Sequence, residues 1–315
     1  MMEANVFTST GIKLMHHPVA VERFKDHRIA TPISVQIAPT SKCNLNCCFC
    51  SNANRTQHED LEIGQIKDLL YRLKTKGAKT VEWTGGGDPT MYRDICAAIY
   101  TGASLGLKQG FITNGVKLKD ALDPYLMMRL HWIRISMNCL DYVDAVDLPR
   151  LQGRQTLGFS YVMNSMTNED VLRRLNDHVQ KYAPGYVRIV PDCRATTEEQ
   201  EENNAKYAAM IEGWGKPYFY QAKIFMRPKR CWWAFFKPFI LHDGWVYPCS
   251  SVVLNSDSAG KFHEKYRWVR VENLPDLYNE PARSISTENC DHCVFDLQNQ
   301  ALDMLAFPRG MEDFI

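Results

Sequence analysis

Three cysteines within eight residues constrain this chain more than any other feature of its sequence. Cys43, Cys47 and Cys50 have the spacing Cys-x3-Cys-x2-Cys and follow an apolar run at residues 33–38. Three clustered thiolates are typical ligands of a soft metal ion or an iron–sulfur cluster. The pair Cys47 and Cys50 alone would also fit a redox dithiol or a zinc site. The third cysteine favours a metal or cluster loop, and a zinc loop or plain buried cysteines are the alternatives.

The same octet resembles the signature of the radical S-adenosylmethionine (SAM) superfamily, including Phe49 directly before the last cysteine. The resemblance implies that Cys43, Cys47 and Cys50 hold three irons of a 4Fe-4S cluster, whose open fourth iron binds SAM. One coordination position is then withheld from the protein, as in an open catalytic metal site. The resemblance also implies that the reduced cluster cleaves SAM to a 5′-deoxyadenosyl radical, which abstracts a hydrogen atom from the substrate. The protein would position the substrate and exclude water.

Composition excludes several classes of function. The chain has 315 residues and a formal net charge of +1, which is no strong signal for nucleic acid or an anionic membrane. Its eleven cysteines are odd in number and bunched, unlike an extracellular disulfide framework. The sequence shows no apolar signal core and no apolar segment of membrane-spanning length. We therefore expect a cytoplasmic protein without a membrane partner.

Strand and helix patterns alternate six times in the first two thirds of the chain. The predicted strands are residues 33–38, 79–84, 109–113, 131–137, 157–163 and 186–190. Helices are expected between them, the first with Asp60 as N-cap and the third over residues 119–129. This alternation predicts βαβ units and a parallel α/β sheet, either doubly wound or a partial barrel. The family resemblance implies a partial (β/α)6 TIM-type barrel with functional residues at the carboxyl ends of its strands.

The character of the chain changes after about Trp214, which predicts a second region. We expect an N-terminal cap over residues 1–32, the barrel over residues 33–214, and a small C-terminal domain over residues 215–315.

A run of glycines ends the second predicted strand. Gly85, Gly86, Gly87 and Asp88 precede Pro89, about 35 residues after the cysteine loop. Consecutive glycines expose backbone and permit positive φ, so a ligand can approach closely. An ordinary turn is the alternative. The run resembles the glycine-rich motif of the same family, which implies that it contacts the ammonium group of SAM.

Weaker similarities lie at the next strand ends. Thr113 and Asn114 end strand three, and Ser136 and Asn138 end strand four, where the family resemblance implies contacts to SAM. Polar residues that merely cap the next element are the alternative. Arg188 on strand six is flanked by apolar residues, and a buried guanidinium needs an anionic partner. The alternatives for this partner are a carboxylate of SAM or of the substrate, and a carboxylate of the protein in a structural ion pair.

Four more cysteines lie in the C-terminal third. Cys231 and Cys249 flank an Asp-Gly turn at residues 243–244, which predicts a β-hairpin, and Cys290 and Cys293 form a CxxC pair. Four thiolates would suit structural zinc. The pattern resembles the twitch domain, a short SPASM-like domain of radical SAM enzymes, which implies an auxiliary 4Fe-4S cluster. A fully ligated cluster has no open iron, so electron transfer is its expected role.

The remaining cysteines have no assigned ligand role. Cys139 and Cys193 follow strands four and six and are weak candidates for a hydrogen-atom donor, as Arg188 is for substrate binding. Cys96 is expected in the core. For Cys48 the sequence indicates no function.

The sequence leaves the substrate open. We expect a small-molecule or nucleotide-sized substrate that is oxidised or rearranged, because the twitch-like domain is short and the 42 residues before Cys43 are too few for the leader-peptide-binding domain of many peptide-modifying relatives. A flavodoxin- or ferredoxin-like protein is the expected one-electron donor. Modification of a peptide or protein with a separate recognition partner is the first alternative. A non-catalytic iron–sulfur redox sensor is the second.

Overall fold

The computed structural model describes most of the chain. The described residues are 6–50, 59–151, 155–192, 195–222, 226, 229–250, 264–290, 293–308 and 310. All structural statements below concern these residues.

One ten-stranded sheet organises the described residues. Its strands are β1 (Ser34–Ile37), β2 (Thr80–Trp83), β3 (Lys108–Thr113), β4 (Trp132–Ser136), β5 (Thr156–Met163), β6 (Tyr186–Pro191), β7 (Tyr218–Tyr220), β8 (Phe239–Ile240), β9 (Trp245–Tyr247) and β10 (Val269–Arg270). The order across the sheet is β10-β9-β8-β1-β2-β3-β4-β5-β6-β7. Neighbours from β1 to β7 pair in parallel, and β8 pairs in parallel with β1. The six predicted strands and the mixed α/β partial barrel with extra C-terminal strands are confirmed.

Helices connect the parallel strands. They are α1 (Pro18–His27), α2 (Ile63–Thr75), α3 (Ile95–Ser104), α4 (Leu118–Ala121), α5 (Pro124–Met127), α6 (Glu169–Tyr182), α7 (Thr197–Trp214), α8 (Trp233–Phe236) and α9 (Asp296–Ala306). Short 3-10 turns lie at Gly11–His16, Pro89–Met91, Met137–Asp141, Glu264–Tyr266 and Val271–Tyr278. Connections of this kind are the normal way to join parallel strands, because they need a crossover.

Alternation along each strand separates the core from the barrel lumen. Val35 and Ile37 of β1 and Val81 of β2 are at most 1% exposed and join the hydrophobic core. Gln36 and Glu82, the alternate residues of the same strands, line a cavity in the lumen instead. The period of two in the sequence therefore decides which side chains can meet a ligand.

Two predicted helix boundaries were wrong. The N-cap of α2 is Glu62, which forms a capping box with Gln65, whereas Asp60 binds the cysteine loop. The helix predicted over residues 119–129 is divided into α4 and α5. Pro124 explains the break, because a proline disfavours helical backbone at the residue before it.

The C-terminal strands continue the barrel sheet. β8 and β9 form the predicted hairpin, and β10 pairs with β9 in antiparallel fashion. The turn differs from a two-residue type I′ turn, because Gly244 has a φ of +74° and Asp243 does not share the positive φ. The division into domains at residue 214 stays a prediction.

Within the described ranges, every helix is too short or too polar to cross a bilayer. The cytoplasmic location stays a prediction.

Candidate active site

The cysteine loop begins at the carboxyl end of β1, and polar contacts hold its stem. Thr40 Oγ1 donates to Asp60 Oδ1 at 2.5 Å, and Lys42 Nζ lies 2.6 Å from Asp60 Oδ2. Cys43, Cys47 and Cys50 are half-buried. Asp60 thus fixes the chain immediately before the first cysteine, which explains why it is not a helix cap.

The glycine run packs directly beneath this stem. The backbone N–H of Gly87 donates to Thr40 O, and that of Asp88 donates to Lys42 O, both at 2.8 Å. A Cβ at Gly87 would overlap the Lys42 carbonyl, and one at Gly85 would overlap the Gly87 carbonyl. None of the three consecutive glycines has a left-handed φ. The expectation of positive φ was therefore wrong: close approach of two backbone segments is the reason for glycine here.

Asp88 joins the glycine run to the next strand end. Its carboxylate accepts hydrogen bonds from Thr113 Oγ1 at 2.9 Å and from the Asn114 backbone N–H at 2.7 Å. It also accepts from the backbone N–H and hydroxyl of Thr90. Asp88 is 4% exposed. Asp88 and Thr113 are thus tied to each other, and their role in SAM binding stays a prediction.

Asn114 reaches from strand three to the cysteine loop. Its side-chain amide donates to Asn44 Oδ1 at 2.7 Å and lies 3.9 Å from Cys43 Sγ. The structure therefore brings the glycine run, the end of β3 and the first cysteine together.

The end of β4 forms a separate polar network. Asn138 accepts from the Val162 N–H at 2.7 Å and donates to Asp141 Oδ2 at 3.0 Å. Asn138 is 1% exposed, so its amide serves to join β4 to β5. Ser136 is half-buried at the last position of β4. The predicted contacts of Ser136 and Asn138 to SAM remain predictions.

The loop also carries Phe49, which is half-buried in the turn closed by a hydrogen bond from the Cys50 N–H to Cys47 O. The Cys48 N–H donates to the hydroxyl oxygen of Tyr142 at 2.8 Å, and the Cys48 side chain is exposed. Cys48 therefore lies on the outside of the turn that the other three cysteines shape.

The three thiols of the loop lie close enough together to affect one another's ionisation. Burial, followed by the neighbouring thiols of Cys50 and Cys43, raises the pKa of the Cys47 thiol to about 12. Thiolates that repel one another in this way are what a positively charged metal centre stabilises.

The four C-terminal cysteines also act on one another. Cys231 and Cys293 are each 8% exposed, while Cys249 and Cys290 are half-buried. Burial raises the pKa of Cys231 beyond the usual range of a thiol, and Cys249 contributes most among its neighbours. Cys293 and Cys290 act in the same direction. Burial likewise raises the pKa of Cys293 to about 11.

Among the residues that the structure describes, no three His, Cys, Asp or Glu side chains already stand in a metal-binding arrangement. The donor sets nevertheless fit iron–sulfur clusters, because each consists of thiols that influence one another electrostatically.

The weak catalytic candidates have different surroundings. Cys139 is 1% exposed within the hydrophobic core, and burial raises its thiol pKa to about 12. This position does not present the thiol to a substrate. Arg188 lines the lumen and donates from Nη1 to Gln221 Oε1 at 3.1 Å. Cys193 lies outside the described residues.

Sequence reasoning missed several residues around the loop. Tyr142 and Asp141 follow β4 and reach the cysteine loop and the end of β5, respectively. His242, at the end of β8, packs against Gly86, and its Nδ1 lies 3.5 Å from Glu59 Oε2. The parallel pairing of β8 with β1 brings His242 there, and no local motif signals that pairing.

A cavity of about 820 Å³ lies in the lower part of the lumen, toward the amino ends of the strands. Its walls include residues of β1, β2, β4, β5 and β6, and it reaches Ser250 and Cys293 of the C-terminal region. The first residues of α9 and the segment 6–9 cover it. The lumen therefore holds space for a ligand next to the second cysteine group.

A parallel partial barrel with a thiol-bearing loop after its first strand defines a cofactor-dependent α/β-barrel protein. Residues 37–156 match the family model described as the Radical SAM superfamily.

Characterised relatives act on different kinds of substrate. An "S-adenosylmethionine-dependent nucleotide dehydratase" of Selenomonas ruminantium is 37% identical over 109 residues, covering 34% of this chain and 39% of that protein. A "GTP 3′,8-cyclase" of Tolumonas auensis is 26% identical over 211 residues, covering 57% of this chain and 61% of that protein. A "PqqA peptide cyclase" of Xanthomonas euvesicatoria is 26% identical over 196 residues, covering 58% and 49%. This chain thus spans between 39% and 61% of the length of these relatives.

The fold is also that of a solved radical SAM enzyme. Streptococcus suis SuiB bound to S-adenosylmethionine superposes with a TM-score of 0.56 at 15% identity, covering 86% of this chain and 72% of that chain. SuiB bound to its precursor peptide SuiA superposes with a TM-score of 0.54 at 15% identity, covering 92% and 76%. At 15% identity the likeness shows a shared fold, and it carries no information about the substrate.

Proposed function

We propose that this radical SAM protein removes a hydrogen atom from a small-molecule or nucleotide-sized substrate, which is then oxidised or rearranged. The lumen cavity is the observation that carries the proposal. Its volume of about 820 Å³ lies within the ~300–1,000 Å³ of ordinary small-molecule sites. Two of the relatives named above, by their names, act on nucleotides.

The cysteine loop would hold the SAM-binding cluster. Cys43, Cys47 and Cys50 supply its three thiolates, and Asn114 steadies the loop through Asn44. When bound, the cluster supplies one electron to SAM, and SAM supplies the oxidising group that removes the hydrogen atom. A flavodoxin- or ferredoxin-like protein is the proposed source of that electron.

The four C-terminal thiols would hold an auxiliary cluster without an open iron. Cys293 borders the cavity, so an electron acceptor at this group would lie beside the substrate. We assign it electron transfer, because four thiolate ligands leave no iron position for substrate.

The residues of the lumen position the substrate and exclude water. Covering segments at both ends of the chain close the lower side of the cavity, since Gln298 Nε2 donates to Ser9 O at 3.0 Å. Lys237 Nζ donates to Ser9 Oγ at 2.8 Å and fastens the same segment from inside.

Anaerobic reconstitution with iron, sulfide, SAM and dithionite tests the proposal. We expect 5′-deoxyadenosine from the wild-type chain and none above background from Cys43→Ala. Formation of 5′-deoxyadenosine that increases with free nucleotides, and not with peptides, supports the small-substrate reading. No 5′-deoxyadenosine from a fully loaded chain would instead indicate a cluster-bearing redox sensor.

Peptide modification is the second candidate function. The match to a PqqA peptide cyclase over 58% of this chain favours it. A recognition partner would then be required, and turnover on a ribosomally made peptide would replace the small-substrate proposal.

A further inference from the structure

The lumen cavity carries more positive than negative side chains. Its walls carry four basic side chains and two acidic ones. The basic residues are Lys13, Arg134, Arg188 and Lys237, and the acidic residues are Glu82 and Asp296. Lys237 Nζ lies 2.8 Å from Glu82 Oε1 and 3.0 Å from Oε2, so this carboxylate is already paired. Asp296 begins α9 beside Cys293 and accepts a hydrogen bond from Gln300. The remaining surplus of positive charge lies on the barrel strands.

Arg134 is the group whose hydrogen-bonding capacity is least used. Its Nε is buried and meets no hydrogen-bond acceptor in the described part of the chain. No described carboxylate lies within ion-pair distance of its guanidinium, whose Cζ lies 5.7 Å from the Trp132 ring centroid. Arg134 is half-buried, and its charge also acts on Glu82 from beyond ion-pair distance. An anion that accepts its N–H groups would satisfy the buried Nε. Such an anion would lie in the cavity that Arg134 lines.

Small residues on the intervening strand leave room for a ligand. Arg134 on β4 pairs in register with Gly158 on β5, and Arg188 on β6 pairs with Ser160. Both arginines line the same cavity and are separated by one strand, a spacing of about 10 Å between β4 and β6. The ring of Tyr186 covers Gly158, but Ser160 does not fill the gap with a long side chain. Two long cationic side chains can therefore approach one group from two sides.

Aromatic rings form the floor below this gap. The ring of Tyr186 occupies the space where Gly158 would carry a Cβ, and Trp132 does the same over Gly110. Phe7 stacks on Tyr186 with ring centroids 4.2 Å apart. An apolar floor lowers the local dielectric constant, so charge–charge attraction above it is stronger than in water.

We propose that the lumen binds an oxyanion group of the substrate, a phosphate or a carboxylate, with Arg134 as its principal contact and Arg188 as the second cation. Guanidinium groups bind both oxyanions through paired N–H donors. The inference rests on the proposed function, since it treats the cavity as the substrate site. It adds that the substrate is anionic, as a nucleoside phosphate is.

Equilibrium binding to the reconstituted, SAM-loaded chain tests this site. Pyrophosphate and succinate are titrated separately into wild type, Arg134→Gln and Arg134→Lys by isothermal calorimetry. We expect saturable binding to wild type, weakened about tenfold or more in Arg134→Gln, as one lost charge-assisted hydrogen bond predicts. Arg134→Lys keeps the charge without the paired donors and should fall between them. Preference for pyrophosphate identifies a phosphate site, and preference for succinate a carboxylate site.

Arg173→Gln is the matched control, because Arg173 lies on the outer surface in α6 with its side chain 64% exposed. It should bind the probes as wild type does. Absence of binding to wild type, or equal binding by wild type and Arg134→Gln, overturns the proposal. If Arg134→Gln does not fold, phenylglyoxal modification of wild-type Arg134 is followed by mass spectrometry: protection by either probe supports the site, and unchanged modification contradicts it.

The same wild-type sample is assayed for 5′-deoxyadenosine. If the wild-type chain cleaves SAM but binds neither anion, only the proposal of an oxyanion site is contradicted. If it binds an anion but does not cleave SAM, the proposed function is contradicted.

Discussion

The two cysteine groups differ in how the chain assembles them. Cys43, Cys47 and Cys50 belong to one loop and need only local backbone to meet. The other group is gathered from three separate stretches, and backbone bridges hold it. Cys231 pairs with Ile285, and Cys293 pairs with Met226. The loop group is thus a half-buried, locally specified site, whereas the second group depends on the packing of the C-terminal third.

The two cysteine groups also differ in their number of thiols. If each group holds a cluster as proposed, three thiols leave a coordination position for SAM and four leave none. The proposed function therefore assigns SAM cleavage to the first group and electron transfer to the second. Each assignment can be tested separately.

Removal of one loop cysteine should have the largest effect. Cys43→Ala is expected to lower 5′-deoxyadenosine formation by about 10³-fold or more, because the first cluster loses one of three ligands. Product analysis by liquid chromatography measures it. Cys48→Ser is the control within the same loop, since the Cys48 side chain is exposed and lies outside the spacing pattern. Equal loss in both variants would mean that the loop works in some other way.

Removal of one C-terminal cysteine should halve the metal content. Two 4Fe-4S clusters predict about eight irons per chain, and Cys290→Ala should retain about four while still binding SAM. Iron and acid-labile sulfide analysis with SAM titration measures both quantities. A wild-type chain with about four irons and one zinc would contradict the auxiliary cluster.

Loss of the ion pair that joins the two regions should reduce stability next most. The side chains of Lys237 and Glu82 are 8% and 16% exposed. Glu82→Gln leaves the ammonium of Lys237 buried without its counter-charge, which is expected to lower the free energy of unfolding by about 3–5 kcal/mol. Urea unfolding of chelator-treated protein measures it. The exposed Glu22→Gln on α1 should leave the midpoint unchanged.

The same ion pair predicts a pH dependence. Burial alone would raise the pKa of Glu82, but Lys237 outweighs it and the pKa lies below its ordinary value of 4.5. A carboxyl with a lowered folded-state pKa stabilises the protein above its unfolded pKa, and this contribution is lost as pH falls through the folded pKa. Wild type should therefore lose more stability on acidification below pH 4.5 than Glu82→Gln does. Parallel acid profiles would show that the pair contributes nothing.

A smaller effect is expected from Asp88→Asn. The amide cannot accept all the hydrogen bonds that Thr113, Asn114 and Thr90 donate to the carboxylate. We expect a loss of about 1–3 kcal/mol of stability and weaker SAM binding, because the glycine run and the loop stem move together. Unfolding and SAM titration are measured on the same preparations. Unchanged SAM affinity would show that the loop holds its shape without Asp88.

Local patterns predicted much of this molecule. The six strands follow from runs of alternating or continuous apolar residues. The family signature in the cysteine loop predicted the superfamily. Local patterns do not predict contacts between distant parts of the chain. No local signal shows that β8 pairs with β1 or that Lys237 contacts Glu82.

The site itself was only partly predictable. The glycine run was found, yet the reason for its glycines is the Lys42 carbonyl, which only the folded chain places there. No motif in the sequence marks Arg134, which lies inside the fourth predicted strand, residues 131–137. Its importance depends on the cavity that it lines and on the pairing of Glu82 with Lys237, which only the folded chain shows.

The pairing of β8 with β1 has a consequence for how much of the chain can stand alone. Gln36 donates its backbone N–H to Pro238 O at 3.0 Å, and Ala38 donates to Ile240 O at 2.8 Å. A fragment ending at Trp214 would leave that row of donors and acceptors open along an apolar strand. Such an open edge is a template for pairing with other chains, and so for aggregation. The C-terminal strands thus protect the barrel against self-association, quite apart from any metal that their cysteines bind.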